Sequence, residues 1–459
     1  MSFSSVGRTR LVRVVAAAAI GGLMLTVSAC AGGGGGGGEQ GSATEGEVNW
    51  WGFTPDLGVG EDYIALFNEE YPDIKVNYKF VPISQYDAAL RPALASSSGP
   101  DVYDVAPGGG IASITAFGGS AIDMTPVLED SLGDDWASQI AENGVTGLTT
   151  SDGKLAGLPV GSTFGGTLWI NQELFDKYSL TPPTTLDEWV EVCDTFRANG
   201  VGCLAQGAGQ VAFDQDTLQS IADSIEPGLW TKASKGDADW SDPVFVEALE
   251  IWKKLFDDEI MVPGALGLQQ YPDANNLFQS QQAAMVMMGT WYMQYSTVAG
   301  MTAAISAAGV GSPVPFTAIS IPFPDVSGNG NPASLYGDPD YGLAVNSRSK
   351  ATAAATTFAT WLTTTTAGQQ AVANALNTIP SLKGVEPDWD NVELVNPDVQ
   401  RPSLQALIAE TATVKEPRLS LVSADLQQAI GVAATSVAGG QATPEDAAKT
   451  LQETMKRLG

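Results

Sequence analysis

"EDYIALFNEEYPDIKVNYKFV", residues 61–81, changes its period halfway along. In the first half Tyr63, Ile64, Phe67 and Tyr71 fall on one face of a helix, and Pro72 stops it. In the second half Ile74, Val76, Tyr78 and Phe80 alternate, which is strand periodicity. Upstream, "EVNWWGF" (47–53) reads as a first strand that runs into a loop at Gly52–Gly60. Downstream, a helix is expected over about Ser84–Ala95, then a short strand in "PDVYDVAP" (100–107). A β-α-β-α-β run of this kind marks an α/β lobe.

The pattern resumes further along. "KLAGLPVGSTFGGTLWINQELFDKY" (154–178) carries a strand ending at Asn171. In "TPPTTLDEWVEVCDTFRANG" (181–200), Thr185 and Glu188 are spaced as a capping box, so a helix starts there and ends near Gly200. "SDPVFVEALEIWKKLFDD" (241–258) has Pro243 in its first turn and Phe245, Leu249, Trp252 and Phe256 on one stripe. "AAMVMMGTW" (283–291) is an apolar strand ending in a glycine turn, and "TPEDAAKTLQETMKRLG" (443–459) is a capped helix. There is no internal repeat.

Composition narrows the chemistry. The 459 residues hold 52 Asp+Glu against 22 Lys+Arg, a formal net charge of −30. Such a chain is repelled by nucleic acid and by anionic lipid, which argues against both as partners. Histidine is absent, which excludes Ser-His-Asp triads, Cys-His dyads and paired-histidine zinc sites. No metal and no cofactor is expected. Cys193 and Cys203 can pair in an oxidising location or remain as two buried thiols; their spacing alone leaves both readings open.

The N-terminus supplies the location. Arg8, Arg10 and Arg13 precede the apolar stretch Val14 to Val27, the build of a secretory signal over residues 1–29. "VSAC" (27–30) resembles a bacterial lipobox, in which the cysteine is lipidated and becomes the new N-terminus. Residues 30–47, with seven consecutive glycines, then read as a flexible tether that holds a folded body off the membrane through the lipid on Cys30. The expected place is the extracellular face of the cell membrane.

Several stretches, in order, resemble the family 1 extracellular solute-binding proteins of ABC transporters. They are "LFNEEYPDIKVNY" with "GPDVYDV", then "DGKLAGLPVGSTFGGTLWINQELFDKYSLTPPTTLDEW", "FQSQQAAMVMMGTW", "YGLAVNSRSKATAAATTFATWLTT" and "TPEDAAKTLQ". Gln281 stands where that family usually has glycine. The resemblance implies an α/β, two-lobed periplasmic-binding-protein fold, type II-like, with ligand in a cleft and hinge-like closure. It places lobe 1 at 48–163 and 316–370, and lobe 2 at 164–315 and 371–459. It further implies a monomer that captures a carbohydrate, an oligosaccharide, and delivers it to ABC permease subunits, with no enzymatic activity. Competing readings are a binding protein for glycerol-phosphate-type ligands, for which arginines are few, and a secreted glycoside hydrolase, for which no loop gathers paired acids with aromatics.

A sugar cleft needs flat aromatics for ring faces and planar polar groups for hydroxyls. Trp291 stands where the similar motif places a sugar platform. Strand alternation makes one of Trp50 and Trp51 core and the other cleft, and Trp51 is the cleft choice. Ala106, Pro107 and Gly108 end a strand where relatives touch ligand, and their small size suits backbone contact or a roomy subsite. Thr163 and Phe164 lie in the crossing segment, where hinge packing is the plainer role. Gln206, Gln210 and Phe213 follow a strand of lobe 2. Tyr336 and Asp338 precede the "YGLAV" strand, and Trp230 is preferred over Trp240 as a residue reaching the cleft. Arg418 is a candidate for an anionic group or a hydroxyl, against the plainer reading of a surface ion pair.

Overall fold

The computed structural model describes residues 41–458, Pro332 excepted. The expected signal segment, Cys30 and the glycine run lie outside the described residues. Strand β1 (Gly46–Gly52) is followed by α1 (Leu57–Glu70), β2 (Ile74–Phe80), α2 (Ile83–Ala95) and β3 (Val102–Val105). This is the order and type of element expected from residues 61–81 and their flanks. Pairing of β1 with both β2 and β3 is parallel. Because β1 begins at Gly46, the last two residues assigned to the tether belong to the sheet.

Strand β4 (Leu158–Gly165) runs almost directly into β5 (Thr167–Asn171). The later elements used below are α3 (Leu186–Ala198), β6 (Gly202–Ala205), α4 (Val211–Ile225), α5 (Pro243–Asp257), β7 (Ala283–Met287), β8 (Ala318–Pro322), β9 (Tyr336–Val345), α6 (Thr352–Thr364), β10 (Ile379–Pro380) and α7 (Ala424–Ala438). Two sheets result, ordered β10-β4-β9-β3-β1-β2 and β6-β7-β5-β8. The fold is α/β and two-lobed, each sheet carrying its own core. Trp50, Phe67, Phe358 and Trp361 fill the first, and Trp169, Trp189, Phe196 and Tyr292 fill the second.

Membership of the two cores and sheets corrects two expected boundaries. Val160 packs in the first core and Phe164 in the second; lobe 2 was expected to resume at 371, but Ala371 and Val372 still pack in the first core and β10 pairs with β4 of the first sheet. The chain was expected to return to lobe 1 at 316. Instead Phe316, Ile321, Phe323 and Leu335 all pack in the second core, and β8 pairs antiparallel with β5. The return comes between Pro322 and Tyr336, because "AISIP" is an edge strand of the second sheet and not a crossing segment.

Local chemistry explains the elements. Thr185 caps α3 by accepting from the Glu188 N–H at 3.3 Å. The return bond of the box goes one residue upstream: Glu188 Oε2 accepts from the Thr184 N–H (2.8 Å) and hydroxyl (2.7 Å). Asp242 caps α5, with Pro243 at its first position, where a missing N–H costs nothing. A disulfide joins Cys193 on α3 to Cys203 on β6, tying a helix to the neighbouring strand. Among the described residues no helix is long and apolar enough to cross a membrane.

Candidate functional site

The chain crosses between the sheets at Gly165–Thr167 and again ahead of Tyr336, and the remaining polar density gathers beside these crossings. Phe164 lies flat against Gly337 of the paired strand: a Cβ there would sit 2.1 Å from the phenyl ring. This side chain is 5% exposed, so hinge packing is its observed role. Thr163, beside it, donates to Asp340 Oδ1 at 3.1 Å. Tyr336 is fully buried, donates to the Asp216 carbonyl and shares a hydrogen bond of 2.9 Å with the Ser220 hydroxyl. It joins β9 to α4 across the crossing.

Trp291 lies in the short helical turn Thr290–Ser296 that follows β7. Its ring rests on Gly289, where a Cβ would come within 2.2 Å of the indole, so only glycine permits this turn. Its Nε1 donates to the Tyr271 hydroxyl at 3.2 Å, and Phe213 meets its edge with centroids 6.3 Å apart. Phe213 also packs edge-on to Tyr271 at 6.2 Å. Three aromatics from α4, the 270–274 segment and the turn after β7 thus form one rigid corner, with Trp291 left half-buried.

Arg418 covers this corner. Its guanidinium carbon is 4.5 Å from the Trp291 ring centroid. Nε and Nη2 donate to Asp216 Oδ1 (2.9 Å) and Oδ2 (2.7 Å), a bidentate pair. The residue is 9% exposed, so the expectation of a surface ion pair is wrong: the pair is buried. The opposing Asp216 charge holds its pKa above the ordinary arginine value despite burial. Asp338 fixes the backbone beside it. One carboxylate accepts from the N–H groups of Arg418 (2.8 Å), Leu419 and Ser420 (2.8 Å) and from the Ser420 hydroxyl (2.9 Å). Asp338 therefore organises a loop.

Carboxylates from the first lobe face this corner. Asp340 is half-buried; desolvation pushes its pKa up to about 6, against the lowering effects of Arg418 and Thr163. Asp56, just ahead of α1, accepts from the Tyr295 hydroxyl of the second lobe at 3.0 Å. Burial raises its pKa too, and the Tyr295 bond partly offsets that. The turn after β3 completes the rim. Ala106 is bonded to residues 112 and 114, Pro107 packs near Gly147, and Gly108 lies against the Leu419 carbonyl. Gly109 donates to the Val422 carbonyl at 3.1 Å, from one lobe to the other. Beyond that bond opens a hollow of about 460 Å³, lined in part by Asp87, Arg91, Ser113, Gln427 and Gln428.

The structure thus brings Trp291, Phe213, Arg418, Asp338, Thr163, Phe164, Tyr336 and the Ala106–Gly108 turn into one neighbourhood. It does not bring the other candidates there. Trp51 lies on β1 beneath Lys79, whose Nζ is 3.4 Å from the ring centroid. Trp230 is 4% exposed and packs edge-on to Trp240, 5.0 Å between centroids, inside the second core. It is a core residue because α4, α5 and α7 close over it. Gln206 is fully buried, donating to the Phe213 carbonyl (3.3 Å) and accepting from the Thr217 hydroxyl (2.8 Å). Gln210 accepts from the Gln270 N–H at 3.0 Å and so steadies the segment that carries Tyr271.

Sequence reasoning missed Asp216, Tyr271, Tyr295, Asp56 and Asp340. For Asp216 a signal existed. Helix α4 reads "VAFDQDTLQSIADSI", yet its residues from Phe213 to Ser224 are all buried. Polar side chains on every side of a buried helix need partners, and Asp216 has Arg418. Among the described residues no group of three or more His, Cys, Asp or Glu side chains is placed to hold a metal ion.

Comparison with known proteins fits this geometry. Residues 56–369 match the model of the bacterial extracellular solute-binding protein family. An arabinooligosaccharide-binding protein of Bacillus subtilis (strain 168) is 26% identical over 55% of this chain and 57% of its own length. The melibiose/raffinose/stachyose-binding protein MelE of the same organism is 24% identical over 30% of each chain. The matched region spans less than two thirds of either relative. Among solved structures, one from a study of xylan utilisation by Caldanaerobius polysaccharolyticus has a TM-score of 0.71 at 22% identity, covering 89% of this chain and 99% of that one. Maltose-bound MalE3 of T. maritima has a TM-score of 0.67 at 20% identity, covering 90% and 100%. At these identities the likeness establishes the fold.

Proposed function

The chain is a member of the bacterial extracellular solute-binding protein family, and from that premise we propose that it captures an oligosaccharide between its lobes and delivers it to an ABC importer permease. The observation that carries this reading is the corner of Trp291, Phe213 and Tyr271, faced by Asp340 and Asp56. An indole held at its rim and on a glycine turn offers a flat apolar surface for the C–H face of a sugar ring. The carboxylates and tyrosine hydroxyls around it accept and donate to sugar hydroxyls. The hollow beyond Gly109 gives room for a second or third ring. Relatives whose names cite arabinooligosaccharides and raffinose-type sugars support the same substrate class.

The sequence supports a location for this role: export through residues 1–29, a lipid on Cys30, and a tether to the folded body at the extracellular face. No enzymatic step is part of this reading. A glycerol-phosphate-type ligand is disfavoured by one observation: the arginine at the corner has its charge matched by Asp216, which takes its Nε and Nη2.

A thermal-shift and calorimetry screen of the lipid-free mature protein tests it, using maltotriose, xylotriose, arabinotriose, raffinose and glycerophosphodiesters. A ligand at 100 times its Kd adds about 2.7 kcal/mol of apparent stability. Binding of a trisaccharide is the expected result; binding of the phosphodiester alone overturns it.

A further inference from the structure

The corner contains one cation, and its charge is balanced by Asp216. That bears on which saccharides the site admits, and the inference rests on the carbohydrate reading above. Arg418 is held three times. Asp216 takes Nε and Nη2 of the guanidinium. Asp338 takes three successive N–H groups of the loop that begins at Arg418. Gln215 donates to the Arg418 carbonyl at 2.8 Å. A planar group anchored this way cannot swing out to meet a ligand without breaking a buried pair. What it does instead is lie 4.5 Å from the Trp291 ring and cover one face of it. Tyr271 and Gly289 hold the rim and the edge.

The far side of the corner is negative. Asp340 and Asp56 take part in no ion pair among the described residues; each has one oxygen bonded to a hydroxyl, from Thr163 and Tyr295 respectively. A carboxylate laid on the Trp291 ring would meet this like charge, and the one cation at the corner is already neutralised by Asp216.

We propose that Arg418 is a positioning residue that backs one face of Trp291, leaving a one-sided platform for an uncharged sugar ring, and that this platform rejects an acidic ring. The arginine acts through the tryptophan and not as an anion receptor.

The test is calorimetry of the mature protein with maltotriose, raffinose and xylotriose, each beside a counterpart bearing a uronic acid. For any neutral sugar that binds, the acidic counterpart is expected to bind at least tenfold more weakly. Asp216→Asn frees part of the Arg418 charge and is expected to narrow that gap severalfold. Because one partner of a buried pair is lost in that variant, a second is needed. Asp216→Asn combined with Arg418→Met removes both charges at similar volume; it is expected to melt near the wild type yet bind the neutral sugar at least fivefold more weakly. Equal affinity for neutral and acidic forms overturns the selectivity while the carbohydrate reading stands. Wild-type affinity in the double variant overturns the backing role. If no saccharide binds in either form, the carbohydrate reading itself falls and this inference with it.

Discussion

Trp51 and Trp291 look alike in sequence and differ in the fold. Each closely follows or ends a strand, each is half-buried, and each has a cation over its ring. Over Trp51 the cation is Lys79, exposed and directly opposite on the neighbouring strand β2. Over Trp291 it is Arg418, buried and locked by Asp216 from a third element. The first is a surface side chain lying across an aromatic ring on its own sheet. The second is a constructed corner. Only partners distant in sequence tell the two apart, and neither alternation nor strand position contains them.

The sharpest break of this comparison uses residues that are core beyond dispute. Trp230→Ala empties a site packed by Trp240 and Phe245, so about 3–5 kcal/mol of stability is expected to be lost. Sugar affinity in the fraction that remains folded should be unchanged. A chemical-denaturation curve and a calorimetric titration on the same sample check both halves.

Arg418→Ala comes next. It leaves the Asp216 carboxylate buried and unpaired, a change that typically costs about 3–5 kcal/mol. Unlike Trp230→Ala it is also expected to weaken sugar binding, so the two variants separate a core position from a supporting one.

Trp291→Ala should invert the pattern of Trp230→Ala. Losing an aromatic anchor costs at least ~2 kcal/mol of binding, roughly thirtyfold in Kd. The side chain is half-buried, so the melting temperature of the ligand-free protein should move little. A large fall in melting temperature with normal affinity would make Trp291 a core residue.

How much of this was legible can be read from particular residues. The period change at Pro72 and the cap at Thr185 are local, and they gave the right elements. The disulfide needed two elements to meet, so spacing left it open. The place of "AISIP" in the second sheet was not legible, because an apolar strand carries no mark of which sheet it joins. At the candidate site, Trp291 and Phe213 were nominated by motif and position, and the structure packs them together. Asp216, Tyr271 and Asp340 were missed, because each acts through a partner more than ten residues away. Arg418 was found but given the wrong setting, since the buried carboxylate that claims it lies 202 residues upstream.

Asp340 gives the comparison a pH axis. Its folded-state pKa is raised to about 6, above the ordinary aspartate value, by burial. A raised carboxyl pKa means the folded state binds the proton more tightly than the unfolded one. Stability is therefore greatest below about pH 4, and it falls as pH rises to about 6 as this group ionises. Asp340→Asn should remove this contribution, on the order of 1 kcal/mol once solvent access to the half-buried carboxylate is allowed for. Melting temperatures of both proteins across pH 4–7 test it: parallel curves would show that Asp340 does not titrate there.

The smallest effect is the one that returns to Trp51. Its ring lies under an exposed lysine, an arrangement worth about 0.5–1 kcal/mol. Its backbone carbonyl accepts from Tyr86 at 3.0 Å, and that bond survives any side-chain substitution. Trp51→Ala should therefore lose that small term plus the packing of a half-buried ring on the first core, and leave sugar affinity within twofold of wild type. Lys79→Ala should lose less still. Combined, the two variants should cost less than the sum of the singles, because the cation over the ring can be lost only once. The same cycle run on Trp291 and Arg418 should show its coupling in ligand affinity. A tenfold loss of sugar binding in Trp51→Ala would put Trp51 in the cleft and end the distinction between the two tryptophans.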